Sequence, residues 1–182
     1  MQKGTLITFA LLLFAGFLTA QTPKIEKWAN GQLKSSGNLK FDVPVIANAS
    51  KADLQKAYSQ MVKVGKWQYW FENGQLRAEE NYTEGSRTGI QKSWYANGKP
   101  ESLVDLQAMT ATYWFENGQK QSSGMVTGDG LPTGAWIAWH SNGQKNTEGA
   151  YDQNGKKTGT WKFWDDKGQL IGQQNYVNGV VH

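Results

Sequence analysis

Few residues in this chain have the right type and spacing for catalysis. It has two histidines and no cysteine. His140 follows Trp139 within an aromatic stretch, and His182 is the last residue. A nucleophilic triad needs a base next to a nucleophile and an orienting acid, and neither histidine has that company. Thiolate chemistry, disulfides and thiolate metal sites are all excluded. Carboxylates recur at Glu72, Glu116 and Asp166. Paired carboxylates can hydrolyse glycosides, but these three hold equivalent places in successive repeats, as a polar strand-end position does. Asp165-Asp166 is the densest acidic spot and Gly128-Asp129-Gly130 the most calcium-like. Neither has the ligand run of a calcium loop, so turn chemistry is expected at both. No glycine cluster precedes a helix, as a phosphate-binding loop would require. The reading is a non-enzyme with no catalytic residue, no cofactor and no metal.

The nine tryptophans remain. Exposed Trp and Tyr anchor protein partners and also stack on sugar rings. Their spacing reveals the element that positions them. GKWQYWFENGQL (Gly65 to Leu76), GIQKSWYANGKP (Gly89 to Pro100), TATYWFENGQKQ (Thr110 to Gln121), GAWIAWHSNGQK (Gly134 to Lys145) and GTWKFWDDKGQL (Gly159 to Leu170) align with one another. A partial copy, KWANGQLK, runs from Lys27 to Lys34. In each full copy a tryptophan stands four residues before a turn glycine: Trp70 before Gly74, Trp94 before Gly98, Trp114 before Gly118, Trp139 before Gly143 and Trp164 before Gly168. Gly31 holds the turn position in the partial copy. Tyr82, Tyr151 and Tyr176 lie eight residues after their glycines, with Leu39, Leu106 and Val126 in the other copies. A fixed period of 20 to 25 residues marks a repeat array.

Asn-Gly between aromatic runs is the strongest short hairpin signal and predicts a type I′ turn, with positive φ at both central residues. Asn30, Asn73, Asn97, Asn117 and Asn142 supply it, and Lys167-Gly168 keeps only the glycine. Each unit is thus two strands, a tight turn and a longer glycine loop. Side chains alternate faces along a strand, so Trp67, Tyr69 and Phe71 oppose Trp70, and Trp136 opposes Trp139. Aromatics on both faces predict a ribbon in which each hairpin packs on its neighbours. Gln91 and Ala111 stand where Trp is expected and make two copies degenerate. The fold expected is all-β: an elongated antiparallel sheet of tandem hairpins with one short helix inserted near the N-terminus. Asn48 to Val62 reads as that helix, capped by Ser50 with Asp53 three residues on. Leu54, Ala57, Tyr58, Met61 and Val62 form its apolar face.

Residues 1–20 read as a signal peptide: Lys3, the apolar stretch Leu6 to Leu18, then Ala20 before the expected cut. The domain reading is 1–20 signal, 21–41 partial repeat, 42–64 helical insertion and 65–182 tandem repeats. Export to the periplasm, the cell envelope or the medium follows. The net charge is +4, of which Lys3 supplies one, and the basic residues are scattered. Nucleic acid is therefore not an expected partner, and without a basic cluster a membrane surface is disfavoured.

The units GKWQYWFENGQL, GAWIAWHSNGQK and GTWKFWDDKGQL, each followed by Tyr and a glycine loop, resemble the variant MORN repeat, including bacterial YwqK-type antitoxins. The resemblance covers Gly65 to His182 and part of Lys27 to Phe41. It implies a scaffold or binding role, with another envelope protein as the expected partner. Cell-wall glycan, and an antitoxin-like inhibitor's target, are the alternatives. Trp70, Trp94, Trp114, Trp139 and Trp164 are the candidate interaction residues. Gly31, Gly74, Gly98, Gly118, Gly143 and Gly168 are the structural turn positions. The oligomeric state is left open.

Overall fold

A computed structural model describes residues 21–40 and 50–182. The expected signal segment, and Asn48 at the expected start of the helix, lie outside the described residues. Among the described residues six hairpins follow one another. β1 (Thr22–Lys27) and β2 (Leu33–Lys40) form the first. After α1 (Lys51–Ser59), β3 (Val62–Trp70) and β4 (Leu76–Thr83) form the second. A two-residue strand, β5 (Ser86–Arg87), turns back on β4 before β6 (Ile90–Trp94) and β7 (Pro100–Asp105). β8 (Thr110–Trp114) with β9 (Lys120–Val126), and β10 (Pro132–Trp139) with β11 (Lys145–Tyr151), are the fourth and fifth. β12 (Lys157–Trp164) and β13 (Leu170–Val177) are the sixth, and β14 (Val180–Val181) pairs back on β13. All belong to one antiparallel sheet in which each strand is bonded to the next in sequence, with β5 alone off the path. This is the expected all-β hairpin array with one short helix.

Every described copy closes its turn the same way, and not as type I′. Gly74 N–H donates to Phe71 O at 3.0 Å and Phe71 N–H to Gln75 O at 2.8 Å. The turn therefore runs Phe71-Glu72-Asn73-Gly74, with glycine in the fourth place. Within these six turns only the glycine has a positive φ, 80° to 94°, and none of the preceding asparagines does. This is a type I turn followed by a left-handed glycine. Asparagine acts through its side chain instead. Asn73 Oδ1 accepts the Gln75 N–H at 3.0 Å, and Asn30, Asn97, Asn117 and Asn142 do the same two residues on. That local bond satisfies a backbone donor that the tight turn leaves unpaired.

The helix is shorter than its apolar spacing predicts. The capping box forms: Asp53 N–H donates to Ser50 Oγ at 3.2 Å and Ser50 N–H to Asp53 Oδ2 at 3.0 Å. The helix ends at Ser59, and Val62 is already in β3, paired with Lys40. Sheet pairing outweighs helical periodicity at Val62 and Val64, where β-branched residues suit a pleated surface. Ala57 is buried, and the helix exit at Ser59 and Met61 borders a hollow lined by Trp67 and Tyr69.

Candidate functional site

The sheet has two unlike faces. One carries Trp67, Gln91, Ala111, Trp136 and Trp161, each seven residues before its turn glycine. Trp67, Ala111 and Trp161 are buried, and Gln91 is 8% exposed. Burial here comes from the neighbouring hairpin. The Trp67 indole donates to Asn38 O at 3.0 Å, Trp136 to Met125 O at 2.7 Å and Trp161 to Ala150 O at 3.1 Å. Each ring lies flat over a glycine of the preceding hairpin: Trp67 over Gly37, Trp136 over Gly124, Trp161 over Gly149. A Cβ at any of the three would fall far inside van der Waals contact with the indole.

The degenerate copies follow the same rule. Each of these glycines is six residues after a turn glycine. In the two hairpins that precede Gln91 and Ala111 the same place holds Glu80 and Val104. Without the glycine there is no room for the indole. Gln91 fills the space with hydrogen bonds, from Nε2 to Thr88 O at 2.8 Å and Asn81 O at 3.2 Å, and accepts Asn81 N–H at 3.2 Å. Ala111 pairs directly with Val104.

The aromatic row on this face is consequently interrupted. In the C-terminal half it is continuous. Tyr113 stacks on Trp136 with centroids 6.3 Å apart, Trp136 meets Tyr151 edge-on at 6.1 Å, Tyr151 meets Trp161 at 5.0 Å and Trp161 meets Tyr176 at 6.3 Å. Burial raises the Tyr113 and Tyr151 phenols above their ordinary range and keeps them neutral. Over β4 to β8 the row gives way to a groove of about 600 Å³. Its floor holds Ser93 and Ser102, hydroxyls 2.7 Å apart, and its wall holds Glu80 and Arg87, paired at 2.5 Å.

The opposite face carries the five candidate tryptophans. Trp70, Trp94, Trp114, Trp139 and Trp164 are all half-buried and repeat once per hairpin from the second to the sixth. Lysines of the preceding hairpin cover two of them: Lys120 Nζ lies 5.5 Å from the Trp139 ring and Lys145 4.8 Å from Trp164. Ion pairs flank the row, Lys66–Glu79 and Lys145–Glu148 both at 2.8 Å. The hydrogen bond from Lys145 lowers the Glu148 pKa below the usual carboxylate range.

The polar residues first weighed for chemistry fall along the turn edge. His140 opens the fifth turn, and its Nε2 lies 2.9 Å from Trp164 O in the next hairpin. Trp28 Nε1 to Trp70 O at 3.2 Å and Tyr95 OH to Trp114 O at 2.6 Å are the same bond in other copies. Glu72, Glu116 and Asp166 are exposed, and their backbone carbonyls accept from the asparagine Nδ2 of the preceding turn. Gly128-Asp129-Gly130 forms a turn closed by Thr127 N–H to Leu131 O at 2.8 Å. Among the described residues no three potential metal ligands cluster, and no helix is long and apolar enough to cross a membrane.

A family model described as the MORN repeat variant matches residues 63–84, 87–106 and 157–178. These are the second, third and sixth hairpins, and the matches support a MORN-repeat protein. No curated protein matches the chain. The hairpins between Thr110 and Tyr151 have the same turn and pairing although the family model does not match them.

Proposed function

We propose that the chain is a non-catalytic interaction or scaffold module of the cell envelope, with another protein as its partner. The observation that carries this reading is the row of five half-buried tryptophans, one in each hairpin from the second to the sixth, on a face that no other layer of the described residues covers. Half-exposed Trp on a rigid sheet offers large contact area at little entropic cost. MORN repeats generally serve as interaction modules for proteins and membranes, which agrees with it. The polar residues engage neighbouring turns: His140, Glu72, Glu116 and Asp166 all contribute atoms to inter-hairpin bonds. An antitoxin-like inhibitor would use the same tryptophan face against a toxic protein.

The test is affinity capture of the tagged, exported protein from its own envelope, alongside Trp70→Ala/Trp94→Ala. One protein recovered in stoichiometric amount by the parent chain, and lost with the folded variant, is the expected result. Equal recovery by both would refute the role of that face. Glycan binding is the second reading, favoured by the hydroxyl-floored groove at Ser93 and Ser102. Co-sedimentation with purified sacculi tests it, and a protein that stays in the supernatant removes it.

A further inference from the structure

The repeat supplies its own comparison for a cavity in the fifth hairpin. Eleven residues before the turn glycine stand Lys63 in the second hairpin, Lys157 in the sixth and Pro132 in the fifth. The two lysines fold back into boxes of aromatic rings. Lys63 Nζ lies 4.8 Å from the Trp67 centroid, 5.1 Å from Tyr69 and 4.9 Å from Tyr82. Lys157 Nζ lies 4.4 Å from Trp161, 5.8 Å from Phe163 and 5.0 Å from Tyr176. The electron-rich ring faces hold the ammonium in both.

The fifth hairpin keeps the box and loses its contents. Trp136 and Tyr151 hold the places of Trp67 and Tyr82, and Tyr113 and Trp161 add rings from the hairpins on either side. Each of the three positions is met by the glycine loop that follows its own hairpin. Gly85 and Gly179 donate to the carbonyls of Lys63 and Lys157, and Gly155 packs against Pro132. Two substitutions empty the box: proline removes the cation, and Ala138 stands where Tyr69 and Phe163 close the other two. A cavity of about 270 Å³ remains, bounded by Tyr113, Pro132, Trp136, Ala138, Tyr151 and Trp161. The hydroxyl-bearing residues Ser122 and Thr147 border it as well.

We propose that this vacant aromatic box is a binding site for a small quaternary ammonium compound of the choline type, in which the ligand's cation takes the place that Lys63 and Lys157 fill elsewhere. Three features set the ligand class. Rings on several sides favour a cation over a neutral group. At the place of Tyr69, which accepts a hydrogen bond from Lys63 at 2.5 Å, Ala138 offers no acceptor, so a cation without N–H loses nothing on entry. The hydroxyls of Ser122 and Thr147 suit a short polar arm. The site stands independently of a protein partner on the opposite face.

The experiment is a tryptophan-fluorescence titration of the full chain with tetramethylammonium and choline at constant ionic strength. The neutral isostere 3,3-dimethyl-1-butanol is the control. Saturable binding of both cations, at least tenfold tighter than the isostere, is expected. Ala138→Phe restores the ring that closes the other boxes, and Pro132→Lys restores the internal cation. Each should weaken binding at least tenfold while the thermal melt is retained. Absence of saturation, equal affinity for the isostere, or unchanged binding in a folded Ala138→Phe would overturn the proposal. So would a trimethyllysine peptide binding tenfold tighter than choline, because the ligand would then be a modified polypeptide.

Discussion

Two kinds of junction join the hairpins of this sheet. At Gly37/Trp67, Gly124/Trp136 and Gly149/Trp161 an indole lies on a backbone that has no Cβ. At Glu80/Gln91 and Val104/Ala111 the glycine and the tryptophan are both gone. The contrast shows that the unit of this repeat is not a single hairpin. Its largest side chain is accommodated by a residue of the hairpin before it, so the two positions must change together. A glycine inside a strand ordinarily weakens it, and here the lost strand propensity is offset by burial of a whole indole. The groove over β4 to β8 is the consequence of leaving that pair out twice in succession.

The comparison breaks most severely if the indole is removed. Trp161 is 3% exposed and touches rings on both sides. Trp161→Ala should cost about 3–5 kcal/mol, the usual range for a large aromatic in a core, read by urea denaturation. Gly149→Val attacks the same contact from the other strand and should cost about 1–3 kcal/mol by overpacking. The two should be strongly non-additive, because the second change has nothing left to displace once the ring is gone. Additive losses would mean that the close approach is not what couples them.

The hairpin order, the turn positions and the two degenerate copies were legible in the sequence, because a glycine and an aromatic at fixed offset survive in every full copy. The link between the degenerate copies and their neighbours was not. Gly37, Gly124 and Gly149 lie outside the aligned aromatic block, and a strand glycine has no pattern of its own to announce it. The turn type differs from the expected type I′ for a similar reason. Asn-Gly suits both type I′ and the type I turn with a left-handed glycine, and dipeptide identity does not say which place in the turn the glycine takes. The place is set by the strand register, in which Trp70 pairs with Leu76 across a bulge. The helix stops short of its expected end because the apolar spacing runs on through Met61 to Val62, where β3 begins. The empty aromatic box needed three dimensions, since its rings come from three hairpins.

A rebuilt junction sharpens the comparison. Gln91→Trp alone should destabilise by about 1–3 kcal/mol, since the ring meets Glu80 where a glycine is required. Glu80→Gly alone removes the Glu80–Arg87 pair and the bond from Tyr82 OH at 2.6 Å, and adds a strand glycine. Together they recreate the Gly149/Trp161 arrangement. A double-mutant cycle should return a favourable coupling of about 1–2 kcal/mol, the size expected for residues in direct contact. A coupling near zero would show that the correlation along the chain has another origin.

The turn edge is the region where no copy differs much, and it gives the smallest effects. Asparagine Nδ2 donates to the next turn's carbonyl in five successive copies, from Asn30 to Glu72 O at 3.1 Å through Asn142 to Asp166 O at 2.6 Å. Lys167 holds the place in the sixth copy, and there Asp165 Oδ1 accepts the Gln169 N–H at 2.8 Å in the asparagine's stead. Asn142→Ala removes both a local and an inter-turn bond at an exposed site, so about 1 kcal/mol should be lost. Lys167→Asn should be within about 0.5 kcal/mol of neutral, as an exposed substitution away from packed features, because Asp165 already supplies the local bond. If Asn142→Ala were equally silent, the ladder would be geometry without energy, and the junction tryptophans alone would hold neighbouring hairpins in register.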